Sequence, residues 1–276
     1  MNKRRSLAGV VADHTILAVL AILFLAPFAF IALTSVMSAA QAGTTFSWPT
    51  SWHVENYAAV FEKLDLVRYF GNSLMYSILA TVFMLASSIP AAYALARIKF
   101  RGANLLFLLI VAMMLLPPQV TTVPLYVMWS KLHLTGSLWP LILPNLLGDA
   151  FSIFLLRQFM LTIPKDYTES AELDGCGPWS TMVRVIVPMA KPGIAAAAIF
   201  LFFHAWNDYY GALLYTSENE RAWPISYALA QFRTSRAVDW NLTMAATILA
   251  MVPVVLIFFS AQKVFVQGVT LTGVKG

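Results

Sequence analysis

Six stretches of mainly apolar residues occupy most of the chain, and each approaches the length of about 20 residues that a membrane-crossing helix needs. Because backbone groups in lipid must be paired within the protein, these stretches are predicted to be helices. The sequence lacks the shorter segments of alternating polarity that a membrane β-barrel requires. We therefore predict an all-α polytopic membrane protein in which residues 1–276 form a single transmembrane domain. The predicted spans cover residues 15–37, 70–96, 104–127, 140–161, 193–215 and 242–265.

Composition supports this class of protein. Of the 276 residues, 59% are hydrophobic and 11% are charged, whereas charged residues make up about 25% of an ordinary soluble domain. The net charge of +5 comes from basic residues scattered singly between apolar runs, so no nucleic-acid partner is expected. Cys176 is the only cysteine, which excludes an intrachain disulfide.

The first apolar stretch has some features of a secretory signal. Lys3, Arg4 and Arg5 precede it, and Ala40-Gln41-Ala42 resembles a signal-peptidase site. However, the apolar run exceeds the core of about 7–15 residues that is usual in secretory signals. We therefore predict an uncleaved first helix, with a cleaved signal as the alternative.

Lysine and arginine residues near the span ends predict the orientation, because they are enriched in cytoplasmic loops. Twelve of them lie on the side that holds both termini and the loops around residues 97–102 and 164–191, and six lie on the other side. Both termini and the segment at residues 164–191 are therefore predicted to be cytoplasmic. Residues 38–69 and 216–241 then form the two outer loops.

The cytoplasmic segment at residues 164–191 is too long for a tight turn. Residues 166–174 predict a short helix, with Asp166 and Thr168 as possible N-cap and first-turn residues. Gly175 can end that helix in a left-handed conformation, and Pro178 is favoured at the start of the next one. The segment therefore predicts a helix, a glycine break and a second helix outside the bilayer. Such a shape suits a groove on another protein, although a plain connector is the alternative.

The spacing of Glu, Gly and Pro in this segment resembles the EAA loop of permeases from binding-protein-dependent ABC transporters. That motif reads E-A-A, three residues, G, nine residues and I-x-L-P, and the chain departs from it at Ser170 and at the valines that replace Ile and Leu. The chain most resembles the six-helix, maltose-type permeases of the carbohydrate-uptake branch. Further matching pieces are VENYAAVF, NSL, AAYALARIKFRG, PPQV, LILP, FLLRQF, AWND and GVTLTGVKG.

The resemblance implies a transport subunit of the bacterial inner membrane that is not itself an enzyme. Its implied partners are a second permease, an ABC ATPase dimer that carries ATP and Mg²⁺, an extracytoplasmic solute-binding protein and membrane lipid, and no cofactor is expected in this chain. The tail, residues 268–276, is expected to reach between the ATPase subunits. The residues that match the coupling loop are Glu169, Ser170, Ala171, Asp174, Gly175 and Pro188. In the outer segment at residues 216–241, Glu218, Asn219, Glu220, Arg221 and Trp223 are candidates for contact with the binding protein.

Polar groups within the predicted spans are candidates for the translocation path, because a charge in the bilayer is costly. We predict that they face a protein-lined or watery interior, with hydrogen bonding between helices as the alternative role. His204 and Asp208 are four residues apart, but two ligands are too few for a structural zinc site. The path candidates are Asn145, Asp149, Asn207, Asp208, Tyr209 and Tyr210.

Several alternative functions remain open at this stage. The same architecture would serve the import of glycerol phosphates or polyols, although the middle of the predicted spans lacks the Arg or Lys that a phosphorylated cargo favours. An ion-coupled secondary carrier using Asp149 would need no ATPase, but it would leave the segment at residues 164–191 without a role. A membrane enzyme is disfavoured because Ser87 and Ser88 have no recognisable base beside them, and no nucleophile-elbow or Walker A motif is present.

Overall fold

The structure is a computed structural model that describes residues 7–43, 48–234 and 239–273, and within these ranges every regular element is a helix. Lys3, Arg4, Arg5, Arg236 and Lys275, which contribute to the predicted orientation, lie outside these ranges, as do the last three residues of the tail. The first helices are α1 (Leu7–Ser35), α2 (Ala39–Ala42), α3 (Glu55–Lys63), α4 (Leu66–Arg97), α5 (Ala103–Met113), α6 (Pro118–Lys131) and α7 (Trp139–Ile142). They are followed by α8 (Ala150–Thr162), α9 (Asp166–Leu173), α10 (Pro178–Thr181), α11 (Val187–Met189), α12 (Lys191–Asn207), α13 (Tyr209–Thr216), α14 (Ile225–Thr234) and α15 (Trp240–Gly273).

Four helical segments in the described part of the chain are long and apolar enough to cross a membrane. Two further candidates are bent pairs of helices, so the number of spans rises to six if each pair counts as one. The prediction of about six membrane helices agrees with this upper count, although one of the bent pairs, Pro178–Met189 with Lys191–Asn207, includes part of the segment that is predicted to lie outside the bilayer. The four segments are Asp13–Ser35, Leu66–Arg97, Trp139–Thr162 and Trp240–Ser260.

The predicted span at residues 104–127 is not one straight helix. Helix α5 ends at Met113, α6 begins at Pro118, and the two are inclined by 90°. Pro117 and Pro118 explain the break, because consecutive prolines remove backbone donors and disfavour a helical residue before them. Pro118 is well placed as the first residue of α6, where a missing N–H costs nothing.

The span at residues 140–161 is also interrupted. Helix α7 continues as a 3₁₀-helix over Leu143–Leu147, and α8 begins only at Ala150. Between them Gly148 has φ +90°, which breaks the helix because only glycine adopts this conformation readily. The fifth predicted span, residues 193–215, breaks at Asp208, between α12 and α13.

The chain divides into two compact units, and whether they act as the single predicted domain stays a prediction. One unit comprises Met1–Leu66 and Leu229–Val252, and the other comprises Val67–Ala228 and Pro253–Gly276. The second unit holds the segment at residues 164–191. Its main apolar cluster includes Met84 of α4, Leu156 of α8 and Ile186, all fully buried. This cluster packs the segment at residues 164–191 against two membrane helices.

Candidate functional site

The segment at residues 164–191 is hereafter called the coupling segment, after the role that the resemblance implies for it. It begins with helix α9. The helix ends in two backbone bonds, from the Gly175 N–H to the Glu172 carbonyl (3.0 Å) and from the Cys176 N–H to the Ala171 carbonyl (2.9 Å). This pair of bonds is the Schellman motif, which needs a left-handed residue just after the helix. Gly175 supplies it with φ +79°. The predicted glycine break is confirmed.

The start of α9 agrees with the prediction only in part, because Asp166 is a first-turn residue but neither candidate is the N-cap. Neither Asp166 nor Thr168 caps the helix, because the cap position is Lys165, and it makes no side-chain capping bond. Asp166 instead occupies the first turn, where its carboxylate is favoured by the positive end of the helix.

The second half of the coupling segment is one continuous helical stretch with an irregular middle. Helix α10 begins at Pro178, a π-helix covers Met182–Ile186, and α11 follows. Its inner side is buried at Met182 and Ile186 in the main apolar cluster of the second unit. The stretch then bends by 80° into α12 near Pro188 and Pro192. The predicted helix and its proline-linked kink are both present, whereas the π-turn was not predicted.

Arg97, the last residue of α4, fastens the base of the coupling segment. Its Nη2 donates to the carbonyls of Met160 and Ile163, both at 2.6 Å. These carbonyls lie in the last turn of α8 and just after it, where a helix has no internal partners for them and where a cation is favoured. Arg97 thereby joins the end of α4 to the end of α8, directly before the coupling segment begins at Pro164.

The outward side of the coupling segment combines charge with large apolar groups. Glu169, Ser170, Asp174 and Pro188 are exposed, whereas Ala171 is buried. Four apolar or aromatic side chains are also exposed, led by Leu173 at 89% and Trp179 at 69%, with Tyr167 and Val183 beside them. Because burying such groups is favourable, this side is suited to contact with another surface.

A cavity of about 410 Å³ lies at the base of the coupling segment. It opens between the end of α4, the residues after it and helix α9. Both signs of charge line it, so it offers partners to either a cation or an anion. The charged residues in its lining are Arg97, Lys99, Lys165, Glu169 and Glu172.

The path candidates in the fourth span lie at its break. The Asn145 amide donates to the carbonyl of Leu141 (2.9 Å) in its own helical turn. Asp149 caps α8, with its Oδ2 accepting from the Ser152 N–H at 2.7 Å, and the Asp149 N–H donates to Ser88 Oγ at 3.2 Å. Both residues are partly buried and serve the local backbone. The assignment of these two residues to the translocation path stays a prediction, and the sequence did not reveal the capping role of Asp149.

Asp208 has the same role at the break in the fifth span. Its Oδ1 accepts from the Gly211 N–H (2.8 Å), which caps α13, and its Oδ2 accepts from the Tyr76 hydroxyl (2.9 Å). Asn207 is exposed and donates to the Phe203 carbonyl of its own helix, and Tyr209 is exposed as well. Among the described residues, no hydrogen bond joins the candidates of the fourth span to those of the fifth.

In the outer loop at residues 216–241, the stretch at residues 217–227 packs against other residues of the second unit. Trp223 packs against the Tyr69 and Tyr227 rings, with the ring centroids 6.2 and 5.1 Å apart. Asn219 donates to the Gly136 carbonyl (2.8 Å), while Glu218 and Arg221 are exposed. Glu218 and Arg221 are therefore available to meet a partner, whereas Glu220 accepts from the Tyr69 hydroxyl (2.8 Å) and Trp223 contributes to packing.

Sequence reasoning missed the roles of Arg97 and Tyr76, two of the side chains that join distant elements here. Arg97 was counted among the cytoplasmic cations, and its position at the C-terminal end of a span was the available signal. Tyr76 carried no signal, because its partner Asp208 is 132 residues away along the chain.

Comparison with known proteins places these features in a family. The family described as the inner membrane component of binding-protein-dependent transport systems matches residues 88–271. The probable ABC transporter permease protein YurM of Bacillus subtilis (strain 168) is 33% identical over 260 residues, which cover 92% of this chain and 86% of that protein. The arabinooligosaccharides transport system permease protein AraQ of Halalkalibacterium halodurans is 30% identical over 229 residues, which cover 83% and 81%.

A solved structure shares the fold. One chain of a bacterial ABC transporter involved in the import of the acidic polysaccharide alginate superimposes with a TM-score of 0.82. The match covers 95% of this chain and 98% of that chain at 21% sequence identity. Together with the family match over residues 88–271, these likenesses show that the chain is a multi-pass membrane protein of the family of inner membrane components of binding-protein-dependent transport systems.

Proposed function

We propose that this chain is one of two permease subunits of an ABC importer and that its coupling segment docks onto a cytoplasmic ATPase. The observation that carries the proposal is the construction of that segment: a Schellman-capped helix packs on a second helix, the second helix packs on the membrane helices, and both present exposed groups outward. The ATPase would carry the ATP and Mg²⁺, and this chain hydrolyses nothing. In this arrangement both termini lie in the cytoplasm.

The segment is held firmly enough to transmit a displacement from the ATPase to the membrane helices. Arg97 ties its base to the end of α4 and α8, and Met182 and Ile186 bury its inner side. A displacement of the exposed surface is therefore passed to α4, α8 and α12 as a rigid-body movement, whereas a loose loop would absorb it. Glu169 is the proposed charged anchor for a basic group of the ATPase, and Leu173 and Trp179 supply the apolar contact.

The proposed cargo is a neutral sugar delivered by a binding protein. The name of the relative from Halalkalibacterium halodurans specifies arabinooligosaccharides, and the structure with the same fold belongs to an importer of the acidic polysaccharide alginate. Both support a saccharide cargo, whereas the proposal that the cargo is neutral rests on the residues of this chain. The charged groups at the breaks of the fourth and fifth spans are the carboxylates of Asp149 and Asp208, which disfavour a phosphorylated cargo. The exposed Glu218 and Arg221 face the binding protein in this proposal.

Co-purification tests the docking. The tagged chain is extracted in mild detergent from its own host, as wild type and as Glu169→Arg, and the bound proteins are identified. The matched control is Glu62→Arg, the same charge reversal at an exposed glutamate of α3. We expect an ATPase, a second permease and the binding protein with wild type and with the control, and loss of the ATPase alone from Glu169→Arg.

If wild type is recovered without an ATPase and still moves solute in vesicles lacking ATP, the importer proposal is wrong and a coupled carrier takes its place. If the ATPase stays bound to Glu169→Arg, the assignment of Glu169 as the anchor is wrong. The binding protein recovered with wild type can then be screened against neutral and phosphorylated sugars to test the cargo.

A further inference from the structure

Helix α3 is fastened to the end of the first membrane helix. The His53 N–H donates to the Val36 carbonyl (2.8 Å), and the buried Asn56 Nδ2 donates to the carbonyls of Ser35 and Met37, both at 2.9 Å. The Tyr57 hydroxyl lies 2.8 Å from Ser35 Oγ. The candidate span in α1 ends at Ser35. These bonds therefore place the start of α3 at the level where α1 leaves the bilayer.

The position of α3 between two candidate spans in the sequence also places it at the membrane surface. Helix α3 ends at Lys63, and the next candidate span begins at Leu66. Two consecutive spans have the intervening residues on one side of the membrane, so α3 is attached at both ends to the same membrane surface. A helix of nine residues is about 13.5 Å long. This length suits a helix that lies along the surface.

The side chains of α3 divide into three faces. Asn56 and Val60 are buried on one side. At about 100° per residue, Val54, Ala58 and Phe61 lie together on the opposite side, and all three are exposed, Val54 at 64% and Phe61 at 51%. The exposed acidic groups Glu55 and Glu62 lie beside this stripe.

Two exposed tryptophans precede the helix. Trp48 is 68% exposed and Trp52 is 61% exposed. Tryptophan is enriched at the boundary between the lipid headgroups and the hydrocarbon, where an apolar ring with one polar N–H is favoured. We propose that the stripe of Val54, Ala58 and Phe61, together with Trp52, is inserted into this boundary, so that α3 is an interfacial membrane anchor.

Lipid is favoured over a protein partner by both depth and area. The stripe contains three residues, one of them alanine, whereas a standard protein interface buries about 800 Å² on each partner. The hydrogen bonds to Val36, Ser35 and Met37 hold it at the height of the headgroups. The anchor also reaches the last membrane helix: the Asn241 Nδ2 donates to Asn56 Oδ1 (3.0 Å), and Lys63 pairs with Asp239 (3.2 Å). An inserted α3 would therefore set the depth of both α1 and the start of α15.

Spin labels on adjacent residues test the proposal in the full complex in lipid nanodiscs. The labelled variants are Phe61→Cys and its control Glu62→Cys, made in a Cys176→Ser background that removes the only native cysteine. Collision rates are measured with oxygen, which concentrates in lipid, and with a water-soluble nickel chelate. For Phe61→Cys the ratio of oxygen to nickel collisions is expected to exceed one, and for Glu62→Cys it is expected to fall below one.

Two results would overturn the proposal. A label at residue 61 that collides mainly with the nickel chelate lies in water, and a label that neither reagent reaches is covered by protein. Val54→Cys provides a second position on the same stripe if the Phe61 variant does not assemble, and it is expected to report the same ratio as the residue 61 label.

Discussion

Replacing Gly175 by alanine is expected to open the end of α9, while the same replacement at Gly177 is not. Neither position has an atom within 4 Å of an added Cβ, so crowding plays no part at either one. The difference lies in the backbone: Gly175 has φ +79°, whereas Gly177 has φ −70°. Only the first is a conformation that alanine avoids.

The magnitude follows from two opposing terms. The left-handed conformation costs an L-residue roughly 1–2 kcal/mol, while alanine restricts the unfolded chain and returns about 0.4–1 kcal/mol. The net cost at Gly175 is about 1 kcal/mol, which corresponds to about a five-fold change in the opening equilibrium. At Gly177 the entropic gain is offset by the loss of a favourable helix cap, so the net effect is near zero.

Hydrogen exchange of the assembled complex measures this opening directly. The reporting amides are those of Gly175 and Cys176 in wild type, which are bonded to the carbonyls of Glu172 and Ala171. We expect the peptide that covers residues 171–177 to exchange about five-fold faster in Gly175→Ala, and at the wild-type rate in Gly177→Ala. Asparagine tolerates the left-handed region better than alanine, so Gly175→Asn is expected to fall between.

Equal exchange in wild type and Gly175→Ala would refute the reasoning, because the motif would then hold without a glycine. Equal acceleration in both alanine variants would show that general flexibility, rather than the left-handed conformation, is what the glycines contribute.

The remaining predictions concern three packed positions. Arg97→Met removes two hydrogen bonds to backbone carbonyls and is expected to destabilise the contact between the ends of α4 and α8 by about 2–3 kcal/mol. The ratio of transported solute to hydrolysed ATP should therefore fall, and Arg97→Lys should restore part of that ratio. Gly193→Ala places a Cβ 2.6 Å from the Phe159 ring; the overpacking is expected to cost about 1–3 kcal/mol in a thermal unfolding assay, and Phe159→Leu in the same chain should recover most of it. Asp208→Ala removes a helix cap and the acceptor of the Tyr76 hydroxyl, with an expected loss of about 1–3 kcal/mol in the same assay, whereas Asp208→Asn, which keeps a capping oxygen, should lose less.

The coupling segment was predictable because its pattern is local. Gly175 and Pro178 act through their own backbone angles, so their effect is encoded within a few residues and appears in the structure as expected. The start of α9 was predicted only in part: Asp166 lies in the first turn as expected, but the cap position belongs to Lys165 rather than to Asp166 or Thr168. Element ends are sensitive to a shift of one residue, which no composition rule resolves.

The breaks in the spans could be predicted from the sequence only in part. The prolines at 117 and 118 are strong helix breakers, yet the hydrophobic run across them reads as one span. Asp149 and Asp208 were recognised as costly in a membrane, but their assignment to the path treated the spans as continuous. The structure shows both at the start of a new helix, where a carboxylate satisfies free N–H groups of the backbone.

The amino-acid sequence by itself determined the class of this protein, the number of its apolar spans and the form of its coupling segment, because hydrophobic length, glycine and proline act along the chain. Only the tertiary structure decided which side chains join distant elements. The bonds from Arg97 to Met160 and Ile163, from Tyr76 to Asp208, and from Asn56 to Ser35 and Met37 cross 19 to 132 residues. Such bonds form only where packing brings two helix ends together, and the residues adjacent in sequence do not predict which ends will meet.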